Sequence, residues 1–163
     1  KVLLELAPGL ALAKLRKAEA NMMLSNWEEA KDDLEQIVED APHHHHALTQ
    51  LASCFMAMDR PEKAEAPLNE ALRLAPDHTE AWHQRGLLYL DWAQEESALN
   101  DFEAAVRCDG NHLGARLRIA AIHHKAERFS EALGAWNGVL AIEPEHTVAR
   151  RRREECEMAL ATI

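Results

Sequence analysis

Residues 79–112 read TEAWHQRGLLYLDWAQEESALNDFEAAVRCDGNH. Trp82, Gly86 and Tyr89 fall at helical spacing, and so do Ala98, Phe102 and Ala105. The stretch therefore reads as two antiparallel helices, and Asp109-Gly110 marks its end, because glycine stops a helix. Stepping 34 residues in either direction finds the same kind of mark: Ala7-Pro8, Ala41-Pro42 and Ala75-Pro76 before it, Glu143-Pro144 after it. Proline ends a helix for its own reason, the missing N–H and the clash with the preceding turn.

Placing each mark at position 32 gives four complete units, 11–44, 45–78, 79–112 and 113–146, between an incomplete segment 1–10 and a closing segment 147–163. Other columns then align. Position 3 holds Ala13, Ala47, Ala81, Ala115 and Ala149; position 8 holds Ala18, Ala52, Gly86 and Ala120; position 20 holds Ala30, Ala64, Ala98 and Ala132. Position 24 holds Leu34, Leu68, Phe102 and Trp136, and position 27 holds Ile37, Ala71, Ala105 and Val139. Small residues at 8 and 20 let two helices approach closely, and large ones at 24 fill the space beside them.

This pattern resembles the tetratricopeptide repeat (TPR) family, with its period of 34 and its W…L-G…Y…A…F…P spacing. The third unit matches best and departs at position 7, where Arg85 replaces leucine; the first matches least, with Lys14, Lys17 and Asn21 at usually apolar positions. The resemblance implies an all-α solenoid, a right-handed superhelix of antiparallel helix pairs. Helix A is expected at about 11–24, 45–58, 79–92 and 113–126, helix B at about 27–40, 61–74, 95–108 and 129–142, and a closing helix at 147–160. Residues 1–7 read as the end of a further helix B, as in a piece of a longer array. Pro61 suits the first position of its helix, whereas Pro67 predicts a kink within it.

Composition sets limits. The chain of 163 residues carries a formal net charge of −10, which repels phosphate backbones and argues against nucleic acid. No apolar run approaches the ~20 residues that span a bilayer. Cys54, Cys108 and Cys156 are odd in number and lack metal-motif spacing, so they read as reduced thiols and favour a cytoplasmic setting.

By the same resemblance, positions 2, 5, 9, 12 and 13 of each helix A line a concave groove. The first unit presents Leu12, Leu15, Glu19, Met22 and Met23; the second His46, Thr49, Ser53, Met56 and Ala57. The third presents Glu80, His83, Leu87, Leu90 and Asp91; the fourth Gly114, Leu117, Ala121, His124 and Lys125. The lysine and asparagine with which some TPR domains clamp a C-terminal carboxylate are absent from positions 5 and 9. The strip is more apolar than a solvated face, and methionine suits adaptable peptide surfaces. Packing of Met22, Met23 and Met56 within the stack is the competing role.

Chemistry is hard to find. His44, His78, His112 and His146 all stand at position 34, before a helix A, where they read as turn residues; with units ~10 Å apart they are too far from one another to share a metal. The run His43 to His46 would hold a metal only adventitiously, like a purification tag. His124 shares the groove with His83, Asp91 and Lys125 as a polar patch. There is no nucleophile elbow, phosphate loop or paired-cysteine motif. The expectation is an adaptor or scaffold that binds a partner protein or peptide in the groove, with no catalytic residue, cofactor or metal. The alternatives are the substrate-recruiting arm of a larger enzyme, and self-association through open solenoid ends.

Overall fold

The computed structural model describes residues 8–162. Among them are nine α-helices and no strand: α1 (Pro8–Met23), α2 (Trp27–Asp40), α3 (His45–Ala57), α4 (Glu65–Leu74), α5 (Thr79–Asp91), α6 (Glu95–Cys108), α7 (Leu113–Lys125), α8 (Phe129–Ile142) and α9 (Thr147–Ala161). Each helix packs on the next, and α3 also reaches α5, so the pairs stack into a solenoid. The reading of residues 1–7 lies outside the described residues. Pro8 opens α1 instead of closing a unit, because its missing N–H is harmless at a first helical position.

The small-residue columns carry the packing. Ala18, Ala52, Ala120, Ala30, Ala64, Ala98 and Ala132 are fully buried, as are Leu34, Leu68 and Phe102 beside them. At Gly86 the contact is tightest: a Cβ there would stand 2.7 Å from Phe102 Cε1. This is why glycine, and not alanine, faces the only Phe in its column.

Helix B of the second unit differs from the expected kinked 61–74. It begins as a 3-10 turn, Pro61–Lys63, and becomes α-helical at Glu65. Pro67 is then the third residue of α4, within the first turn, where N–H groups have no intrahelical partner. The chain moves the helix start close up to the proline rather than bending the helix.

Two turns repeat through the stack. Within each unit a left-handed residue, Ser25, Asp59, Ala93 or Glu127, follows helix A, with φ of 62°, 58°, 57° and 55°. In each case the next N–H reaches back five residues, as from Gln94 to the Tyr89 carbonyl at 2.8 Å, which is the Schellman closure. Between units the proline or glycine mark is the second residue of a β-turn, closed by the position-34 histidine N–H onto the carbonyl three residues earlier. Trp82, Arg116 and Arg150, all at position 4, donate to the carbonyls of Pro76, Gly110 and Pro144 and pin these turns.

Arg85 explains its own departure from the pattern. Its guanidinium donates to both carboxylate oxygens of Asp101 at 2.7 and 2.8 Å and to Asn69 of α4 at 2.8 Å. It also lies over the rings of Trp82 and Tyr89, at 4.9 and 5.6 Å. The Asp101 pair braces the third unit, and the bond to Asn69 ties it to the second.

Candidate binding groove

The successive helices A, α1, α3, α5 and α7, carry the expected groove residues, and the structure sorts them into three groups. Leu12 and Met23 are open to solvent at 54% and 88% exposure; Asp91 and Lys125 are exposed, with Lys125 paired to Glu95. Met22, Met56, Leu87, Leu90 and Leu117 are half-buried, each packed on the core with part of its side chain outside. Leu15 and Thr49 are buried and do not belong to an accessible surface. Leu15 joins the core, and Thr49 turns its hydroxyl onto the His45 carbonyl at 3.0 Å. Of the three methionines, Met22 and Met56 pack on the core and Met23 does not.

Polar groups link neighbouring helices A. Glu19 faces His46 at 3.4 Å, and its carboxyl is held low by the hydrogen bond from Arg16. Ser53, by contrast, bonds within α3, donating to the Thr49 carbonyl at 3.2 Å. His124 stands between Glu155 at 3.3 Å and the Cys156 sulfur at 3.4 Å. That arrangement of thiol, imidazole and carboxylate has the outline of a nucleophilic trio, but Cys156 is fully buried, and burial raises its thiol pKa. A thiol held neutral and sealed from solvent packs rather than attacks. Cys54 is similar, pushed up to about 11 by burial.

A cavity of about 430 Å³ opens between α5, α7 and α9. Leu117, Ala121, Trp136 and Val148 give it apolar walls, Gly114 leaves room beside His83, and Arg118 supplies a cation. The Trp136 indole N–H is buried without a partner. Sequence reading missed Val148, Arg118 and Trp136. Continuing the columns into the closing helix would have found Val148 at position 2 and Met158 at position 12; both are exposed, at 52% and 71%.

The position-34 histidines have a sharper role than turn residues. His44, His112 and His146 are N-caps, each accepting the N–H three residues on through Nδ1, at 3.1, 3.0 and 3.2 Å. His78 occupies the same place without that bond and packs edge-on against His45, ring centroids 4.8 Å apart. Comparing these histidines only with one another overlooked a different meeting. His112 approaches Glu80 and His83 of the preceding helix A, and donor atoms of the three lie within 4.8 Å of one another. Burial alone would raise the Glu80 carboxyl, but His83, the Gln84 amide and His112 outweigh it and hold it at about 2.

No helix among the described residues is long and apolar enough to cross a membrane. No curated protein matches the chain by sequence. Among solved structures it is similar to MamA, at 13% identity and a TM-score of 0.79, over 93% of this chain and 82% of that one. It is also similar to YrrB, described as a TPR protein with an unusual peptide-binding site, at 23% identity and a TM-score of 0.72, over 93% and 78%. A third neighbour is the first TPR of Spaghetti (RPAP3), bound to the HSP90 peptide SRMEEVD, at 22% identity and a TM-score of 0.68, over 72% and 93%. Two family models, both described as tetratricopeptide repeat, match residues 22–86 and 79–112. With the repeating helix pairs, the buried small-residue columns and these matches in agreement, the chain belongs to the tetratricopeptide repeat family.

Proposed function

We propose that the chain is a protein-interaction module whose concave groove holds a segment of a partner protein. The observation that carries this reading is the cavity between α5, α7 and α9, which has apolar walls and a cation beside it. A site with apolar walls and few polar groups suits one anchoring side chain of a bound segment. Exposed Leu12 and Met23 and half-exposed Met56 and Leu90 extend the surface along the stack. The peptide-binding neighbours support the class of ligand, and the rigid stack spares the entropy of ordering the surface on binding.

The test is selection of peptides from a displayed library on this chain, followed by affinity measurements with Val148→Glu and Ala121→Glu. Both side chains face the cavity and are largely exposed. Each substitution is expected to weaken binding by about 2 kcal/mol or more, the scale of an interface hot spot, with little change in Tm. Peptides that bind both variants as tightly as the parent would move the interface to another face.

A further inference from the structure

The junction between the third and fourth helix pairs gathers ionisable side chains at one edge of the cavity, whose lining includes His83 and Gly114. Glu80 and His83 project from α5 and meet His112, the cap of α7. Glu80 Oε2 lies 3.7 Å from His112 Nε2, and Glu80 Oε1 lies 3.9 Å from His83 Nδ1. The His83 and His112 rings stand 4.7 Å apart. His83 Nδ1 is buried without a hydrogen-bond partner. Gly114 keeps the space beside both imidazoles open; a Cβ there would come within 3.2 Å of His83 Nε2 and 3.4 Å of His112 Cε1.

We propose that Glu80, His83 and His112 bind one divalent transition-metal ion of the Zn²⁺ type. Two imidazoles and a carboxylate are a donor set that Zn²⁺ takes, with a fourth position left for water or an incoming ligand. Ca²⁺ and Mg²⁺ prefer shells made of oxygen, which this site does not offer. Metal–ligand bonds of about 2.0–2.2 Å place tetrahedral donor atoms about 3.3–3.5 Å apart, so donor gaps that reach at most 4.8 Å close by up to about 1.5 Å through side-chain rotation. The Gln84 amide holds Glu80 Oε1 at 2.6 Å, which leaves Oε2, the oxygen that faces His112, for the ion.

The capping bond makes this site unusual. His112 Nδ1 accepts the Ala115 N–H, so the proton of the neutral ring sits on Nε2. Coordination through Nε2 requires that proton to move to Nδ1, where it displaces the Ala115 N–H. Metal binding therefore uncaps α7. His146 caps α9 through the same bond and takes no part in the trio, so its Ala149 N–H serves as an internal reference.

The experiment titrates the whole chain with ZnCl₂ by calorimetry and follows the amides by NMR. Four chains are compared: parent, Glu80→Gln, His83→Asn and His112→Asn. Asparagine is itself a good N-cap, so His112→Asn removes the ligand and keeps the helix start. Circular dichroism checks that each variant is folded. The expected result is one Zn²⁺ equivalent in the parent that weakens at least tenfold in all three variants. In the parent, the Ala115 amide shifts and exchanges faster on addition of Zn²⁺ while Ala149 stays unchanged. Binding that survives in all three variants and is lost in a His43→Ala/His46→Ala chain would place the ion on the histidine run and overturn the proposal. Absence of heat and of any Ala115 shift at millimolar Zn²⁺ would overturn it equally. Neither result depends on a bound peptide, so this outcome and that of the peptide test are read separately.

Discussion

Positions 7 and 23 carry a charged pair in the first and third helix pairs, with opposite surroundings. In the first, Lys17 meets Asp33 at 2.8 Å, with the two side chains 66% and 20% exposed. In the third, Arg85 grips Asp101 through two bonds, with the side chains 18% and 6% exposed. Both pairs span 16 residues, so their local geometry is the same. Their neighbours differ. Positions 4 and 11 hold Lys14 and Asn21 around Lys17, but Trp82 and Tyr89 around Arg85. Two aromatic rings shield the arginine from water, strengthen its charge interaction and raise the penalty for losing one partner. The lesson is that one pair of positions yields a surface ion pair or a structural bolt according to what flanks it.

The sharpest way to break this comparison is to remove one cation at a time. Arg85→Leu leaves Asp101 buried and uncompensated and is expected to cost about 3–5 kcal/mol in urea unfolding. Lys17→Leu is expected to cost no more than about 1 kcal/mol, since its pair is largely hydrated. Arg85→Leu with Asp101→Ala should recover much of the loss, because the fourth unit packs with Ile119 and Ala135 at these positions. Equal losses from the two single substitutions would remove the distinction.

Overpacking asks whether the third unit is also the tighter one. Ala98→Leu and Ala64→Leu place a larger side chain where the parent residue is fully buried and are each expected to cost about 1–3 kcal/mol. An unchanged melting curve for either would mean that its helix pair tolerates a spacing the structure does not show.

Enclosure also governs the histidines. Burial pushes the His44 and His78 imidazoles below their ordinary range. The unfolded chain then binds these protons more readily than the folded one. Their stabilising contribution is full above about pH 6.5 and is lost as pH falls through the folded values. Protonated His44 also ceases to accept the Ala47 N–H. Tm is expected to fall between pH 7 and pH 5, and His44→Asn, a cap that does not titrate, should remove part of that fall. The capping bond itself is worth about 0.5–2 kcal/mol. A pH profile identical in parent and variant would separate the cap from the acid response.

The smallest expected effect lies in the turn of the third unit. Ala93 sits at φ 57°, a region that costs an L-residue roughly 1–2 kcal/mol. Ala93→Gly relieves that cost and loses about 0.5–1 kcal/mol to unfolded-chain entropy, for a net gain of about 1 kcal/mol or less in unfolding free energy. A loss instead would show that the Ala93 methyl contributes to packing.

Much of this molecule is legible one residue at a time. The period of 34, the small-residue columns and the turn marks fix helices such as 27–40, 95–108 and 129–142 at the residues where they occur. They do so because helix spacing and turn chemistry are local. The charged pairs were legible in principle as well: reading position 23 beside position 7 shows acids only where position 7 is basic. The burial of Leu15 and Thr49, the cavity beside Val148 and the meeting of Glu80, His83 and His112 were not. His83 and His112 are 29 residues apart, in different units, and nothing in either local pattern brings them together. Their approach follows from how one helix pair rotates onto the next, which is decided by the sum of side-chain packing across the whole interface. The sequence by itself determined the repeat, its helices and its core columns; only the tertiary structure decided which groove residues face water and which side chains from neighbouring units share a site.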